Sequence, residues 1–319
     1  MSPRHRRSSR ASSLKPLVRA AASAAVVSGV AVPLARKRLK IHPALTIASL
    51  VAAPAALAVL YPRTRGRDVV LYMQQMWGFT IAHELPVDDE AVAARRLRVT
   101  YPIKIDTLIG GGQLPNARLQ RLLAAPADAE PTALDKTLSI VHWAWFAEPH
   151  LALVWILLRD EDGFPRAARQ MAAAFDLGCL LYAAVPTAPP WWASEHRYTR
   201  QPVRRIMAEV GERFWGRAWP SLYASLGGNP WAAMPSLHFA TSVLAAVLLS
   251  EQSALAGTVG WSYAATLGFA LVYLGEHYVT DLLAGLVLVA AVREGEPLVD
   301  PLARAASALT QGLERVANG

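Results

Sequence analysis

The sequence predicts an all-α integral membrane protein: a six-transmembrane-helix bundle with a long amphipathic and loop section before the second core helix. Three observations carry this reading. Of the 319 residues, 53% are hydrophobic and only 18% charged, whereas a soluble domain has about a quarter charged residues. The apolar residues gather into runs of roughly 16–22, the length that crosses about 30 Å of hydrocarbon. The net charge of +8 sits largely in clusters that flank those runs. That pattern fits cytoplasmic retention or anionic lipid, and it excludes the aromatic-interleaved basic surface of a nucleic-acid binder.

Taken in order, residues 1–42 form a basic N-terminal region. Residues 1–15 are serine- and arginine-rich and expected to be disordered; residues 20–35 are an additional apolar helix, ending before RKRLK. Residues 43–295 are the membrane-embedded domain, with spans expected near 44–61, 137–158, 168–186, 236–250, 255–274 and 278–292. Between the first two lies the stretch 62–136, which contains IDTLIGGGQLPNARLQ. Its three glycines mark a tight backbone or a close approach, and they lack the Lys-Ser/Thr of a nucleotide loop. The third loop, PTAPPWWASEHRYTRQPVRR, breaks the helix with prolines. It and the following residues supply Phe214, Trp215, Trp219, Tyr223 and Trp231, aromatics suited to a membrane–water interface. Residues 296–319 are a cytoplasmic tail. The single cysteine, Cys179, excludes an intrachain disulfide and a multi-cysteine metal site.

Two stretches carry chemistry. AAMPSLH (Ala232–His238) and YLGEHYVTD (Tyr273–Asp281) each bring a histidine to the start of an apolar run. Six spans with a cytoplasmic N-terminus place both on the extracytoplasmic side. Ser236 is a good helix N-cap, and both histidines are expected in a first helical turn, where free N–H groups favour a phosphate. Asp281 follows His277 by four, so on a helix they share a face. The carboxylate can then fix the imidazole tautomer, leaving His277 as nucleophile and His238 as general acid. Glu276, next to His277, is expected to point away. By residue type alone, a His₂Asp metal site and a bis-histidine haem stay open. So does a transporter or scaffold built on the same helices, although no internal repeat supports one.

AAMPSLH with YLGEHYVTDLLAG resembles the type 2 phosphatidic acid phosphatase superfamily. PTAPPWWAS and IDTLIGGGQLPNARLQ are similar to its branch containing fungal inositol phosphorylceramide synthase. The resemblance implies a phosphohistidine at His277 oriented by Asp281, with His238 protonating the leaving group. It also implies six core helices, no metal or other cofactor, and an extracytoplasmic site. The substrate would be a lipid phosphate or phosphodiester, with water or a polyol or lipid alcohol as acceptor. The family's KxxxxxxRP phosphate-binding string is absent, and Ala270 and Leu271 stand where Ser-Arg is usual. Substitute phosphate-binding residues are expected among Arg204, Arg205, Arg200, Ser236 and Lys104, with Arg197 and Arg118 beyond them; His142 and His150 are weaker candidates.

Overall fold

The computed structural model describes residues 3–222 and 228–318; Tyr223, expected among the interfacial aromatics, lies outside them. Two compact units are formed, Met1–Asp88 with Glu294–Gly319, and Asp89–Arg293. Among the described residues the chain is helical, and extended pairing is confined to isolated parallel bridges of Thr187 with Arg98 and Ala232.

The first unit contains α1 (Pro3–Leu39), α2 (Pro43–Leu60) and α3 (Arg65–Glu84). The start of the chain, expected to be disordered, is drawn into α1 from Pro3 onward. Small residues let α1 and α2 approach closely: a Cβ on Gly29 would stand 2.3 Å from that of Ala53. Arg36 is buried against Glu84 and Asp88 at 2.5 and 3.0 Å, so its charge is compensated where it leaves water.

The second unit comprises α4 (Glu90–Arg96), α5 (Thr100–Ile109), α6 (Pro115–Leu123), α7 (Ala133–Ala144), α8 (Glu148–Arg159), α9 (Phe164–Ala184), α10 (Pro190–Glu195), α11 (Ile206–Trp215), α12 (Leu237–Gln252), α13 (Ala254–Tyr273) and the first part of α14 (Val279–Asn318). One core cluster joins Leu138 of α7, Ile206, Met207 and Val210 of α11, and Ala270, Tyr273 and Leu274 at the end of α13. A second joins Leu114 and Ala117 to Val203 and Tyr278. Apolar packing therefore surrounds the short link between α13 and α14. Residues 296–318 continue α14 as helix, and Ala317 packs with Ala22, Ala56, Val59 and Leu60.

Among the described residues, fewer helices than the six expected spans have by themselves the length and hydropathy of a crossing. Among the described residues, three helical segments are long and apolar enough to cross: Leu14–Leu39, Pro43–Leu60 and Ala254–Tyr273. The pair α7 and α8 makes a fourth if taken as one span, bent by 54°. The break falls at Trp145–Ala147, where the chain turns before Pro149. The other expected spans fall short for physical reasons. In α9, Arg166, Arg169, Gln170 and Asp176 lower the hydropathy. At 16 residues, α12 extends about 24 Å. The start of α14 carries Asp281, Arg293, Glu294 and Glu296 within 18 positions. The triple glycine is a tight turn: Gly111 and Gly112 take φ of +64° and +96°, and the close approach is at Gly110, where a Cβ would fall 1.9 Å from the Gln113 carbonyl oxygen.

Candidate active site

The site lies where α12 and α14 begin. Ser236 is the N-cap of α12, its hydroxyl accepting the Phe239 N–H at 3.3 Å, a cap worth about 1 kcal/mol. His238 therefore sits in the first turn, as the sequence predicts. Tyr182 steadies the approach: its hydroxyl donates to the Pro235 carbonyl at 2.8 Å and accepts from the Leu237 N–H at 3.3 Å. The imidazole of His238 lies against Trp145, ring centres 4.0 Å apart, and stacks on His142 at 5.0 Å.

His277 differs from expectation. It is not in a helix but two residues before α14, in a turn that follows Gly275. Gly275 has φ +83°, and a Cβ there would fall 2.3 Å from the Arg204 carbonyl oxygen, so only glycine fits. The pairing with Asp281 survives because Asp281 occupies the third position of α14 and reaches back. One carboxylate oxygen lies 3.3 Å from Nδ1 of His277 and also accepts the Tyr278 N–H at 2.8 Å. That second bond is the reciprocal half of a capping box. Nε2 of His277 is thereby turned outward, 3.3 Å from Nδ1 of His238. Asp281 is fully buried and His277 is 4% exposed. The result is a continuous line, Asp281–His277–His238. The two helix starts are also tied directly, the Ser236 N–H donating to the Asp281 carbonyl at 3.0 Å. Gly285 allows this approach, since a Cβ there would meet the Ser236 carbonyl oxygen at 3.0 Å.

Three buried polar side chains from the IDTLIGGGQLPNARLQ stretch hold the His277 turn, and the sequence reading did not single them out. Asp106 accepts the Val279 and Thr280 N–H groups at 2.8 and 2.9 Å and the Thr280 hydroxyl at 2.5 Å. These are first-turn donors of α14 that the helix itself leaves without partners. Asn116 donates to the carbonyls of Val272 and His277 at 2.7 and 2.9 Å. Gln120 donates to the carbonyls of Tyr273 and Arg204 and accepts the Arg204 N–H, at 2.8–2.9 Å. A readable signal existed: Asn116 and Gln120 are spaced i, i+4, so α6 presents two amides on one face.

The candidate cations separate clearly. Lys104, Arg118, Arg197 and Arg200 are exposed. The guanidinium of Arg204 is engaged by Glu209 and by the Ala125 carbonyl at 2.5 Å. Arg205 meets Glu276 side-on, Nε and one terminal nitrogen at 2.9 and 3.2 Å from the two carboxylate oxygens, and lies over the Trp191 ring at 4.1 Å. Glu276 thus does not point away. The rule that helical i+1 neighbours diverge does not apply, because the turn is not helical. Burial alone would raise the Glu276 carboxyl; Arg205, aided by His142 and His277, holds it below its ordinary value. The proline–tryptophan loop serves the same turn, the Trp191 N–H donating to the Gly275 carbonyl at 3.2 Å. His142 is brought to the site, while His150 stacks on Phe175. Among the described residues no three His, Cys, Asp or Glu side chains are grouped as a metal ion requires.

Chemically, a buried carboxylate on one ring nitrogen and a second imidazole at the other is an arrangement that directs a lone pair outward and has a proton carrier at hand. Comparison with known proteins bears on which chemistry this is. Inositol phosphorylceramide synthase of Candida albicans is 26% identical over 174 residues, covering 51% of this chain. That match spans only 37% of the relative's length. No solved structure matches. A family profile described as PAP2 superfamily covers residues 119–293, more than half of the chain and both histidine stretches. The chain belongs to the PAP2 superfamily.

Proposed function

We propose that this protein is a membrane phosphotransferase of the inositolphosphotransferase type, acting on a lipid phosphate or phosphodiester through a phosphohistidine on His277. The observation that supports the reading most is the line Asp281–His277–His238. In the first step Nε2 of His277 attacks phosphorus, and the bond from phosphorus to the lipid alcohol oxygen breaks. His238 gives that oxygen a proton, and Asp281 stabilises the cationic ring that forms. In the second step the hydroxyl of a polyol or lipid alcohol attacks phosphorus. His238 takes back the proton, and the phosphorus–nitrogen bond breaks. Water as acceptor turns the same sequence into phosphatase chemistry. The proposed site faces away from the cytoplasm, with both termini cytoplasmic.

One geometric requirement follows. The two ring nitrogens are 3.3 Å apart, too close for a phosphorus atom between them. An attack distance of about 3–3.5 Å on one side and an acid hydrogen bond of about 2.6–3.2 Å on the other have to be accommodated. Substrate entry therefore separates the rings, and His238, whose ring rests on Trp145 and His142, is the partner expected to move.

The test uses the full chain in detergent–phospholipid micelles with a lipid donor carrying labelled phosphorus. Wild-type protein is expected to trap label that is stable to alkali and released by acid, as a phosphorus–nitrogen bond is. His277→Ala is expected to trap none, and His238→Ala to slow turnover by about 10²–10⁴. Undiminished turnover in His277→Ala sinks the assignment. Label found in an added alcohol supports transfer; label found only in inorganic phosphate reduces the reading to a phosphatase.

A further inference from the structure

We propose that Glu276 is a built-in stand-in for the substrate phosphate: its carboxylate occupies the Arg205 guanidinium in the empty site and is displaced when a phosphate oxygen arrives. The inference rests on the site reading above and concerns how the site handles its anion. The side-on contact at 2.9 and 3.2 Å uses the edge of the guanidinium that matches a carboxylate and a phosphate equally well.

Placement makes Arg205, rather than its neighbours, the phosphate-binding residue. Its backbone is fastened to the His277 turn on both sides: Gln120 bridges Arg204 to Tyr273, and the Ile206 N–H donates to the Leu274 carbonyl at 3.2 Å. The guanidinium is laid on Trp191, which itself bonds to Gly275. Arg204 is engaged with Glu209 and Ala125, and Lys104 and Arg200 are exposed. Glu276, the residue before His277 in the chain, holds that cation.

Charge balance explains why a carboxylate belongs there. A guanidinium left unpaired at this mostly buried position would be costly to keep from water. Glu276 neutralises it while the site is empty; a bound phosphate then supplies the same negative charge. The side chains of Arg205 and Glu276 are 22% and 10% exposed, so the carboxylate has a route outward. Once displaced it remains close enough to repel the phosphate, which weakens anion binding and favours release. Glu276 is on this view a specificity-determining residue that touches the phosphate-binding group.

The experiment measures equilibrium binding of inorganic phosphate to the full chain in micelles by phosphorus NMR line broadening, with no turnover needed. Four proteins are compared: wild type, Glu276→Gln, Arg205→Gln and the double variant. Removing the competing carboxylate is expected to tighten phosphate binding about ten- to a hundredfold, the range of one charged hydrogen-bonded contact. Arg205→Gln is expected to weaken binding, and adding Glu276→Gln to it to change binding less than about twofold. The proposal is overturned if Glu276→Gln binds phosphate no more tightly than wild type, or if the tightening persists without Arg205. Should Glu276→Gln not fold, Glu276→Asp, whose shorter arm pairs less well, is expected to lie between, and affinity equal to wild type overturns the proposal. A wild type that binds phosphate in this order yet forms no phosphohistidine would remove the catalytic reading and leave this one standing.

Discussion

The helices that deliver the two histidines begin in opposite ways. At the start of α12, the side-chain cap is local: Ser236 closes the first turn, three residues from the N–H it accepts, and His238 falls in that turn. Tyr182 and the Asp281 carbonyl hold the residues that lead into it. At the start of α14, capping is borrowed. Asp106 satisfies the first N–H groups from more than 170 residues away, Asn116 holds the His277 carbonyl, and Gln120 ties the turn to Arg204. On the proposed mechanism, a proton carrier that moves aside for substrate can stand on a helix end whose side-chain cap is its own. A nucleophile that has to meet phosphorus along one line gains from a turn held on several sides, because small misplacements cost large factors in rate. The difference teaches that the two histidines, though matched in sequence setting, are positioned by different physics.

The contrast can be broken most severely at Gly275. Gly275→Ala places a side chain at φ +83° and 2.3 Å from the Arg204 oxygen. A loss of about 2–4 kcal/mol is expected from strain and displacement together, read as a lowered unfolding temperature in micelles, with phosphohistidine formation abolished. An unchanged variant would mean the turn is not held from outside. Asp106→Ala comes next. It strips three donors of their buried acceptor and is expected to cost about 2–3 kcal/mol. Turnover should fall while phosphate affinity stays within about twofold, since Arg205 is untouched; equal losses in both would assign Asp106 a general structural role only. Ser236→Ala is the mildest, about 1 kcal/mol. Because the cap is local, the rate of label trapping on His277 should hardly change, and a collapse of trapping would show that the α12 start also governs the nucleophile.

Much of the site was legible because its parts are local. Asp281 was paired with His277 by a spacing of four, and the pairing holds even though the turn is not helical, since the third residue of a helix reaches back to the cap. His238 and Ser236 were read from a capping pattern that needs no tertiary partner. The misread residues share a different property. Glu276, Asp106, Asn116 and Gln120 act on groups that sequence spacing does not bring near, and a polar residue in an amphipathic stretch looks the same whether it meets water or a buried carbonyl. The six expected spans are matched only in part, for a related reason. Hydropathy registers apolar runs, but not the 54° break between α7 and α8, nor the end of α12 after 16 residues.

By itself, the sequence determined a helical membrane protein with two histidines at helix starts and a carboxylate one turn beyond the second, because periodicity, capping and i, i+4 spacing are short-range and additive. Only the tertiary structure decided that the two imidazoles touch, and that Arg205 rather than Arg204, Arg200 or Lys104 pairs with Glu276, the residue before His277. Those outcomes depend on buried hydrogen bonds between segments far apart in the chain, whose partners are chosen by packing and not by spacing.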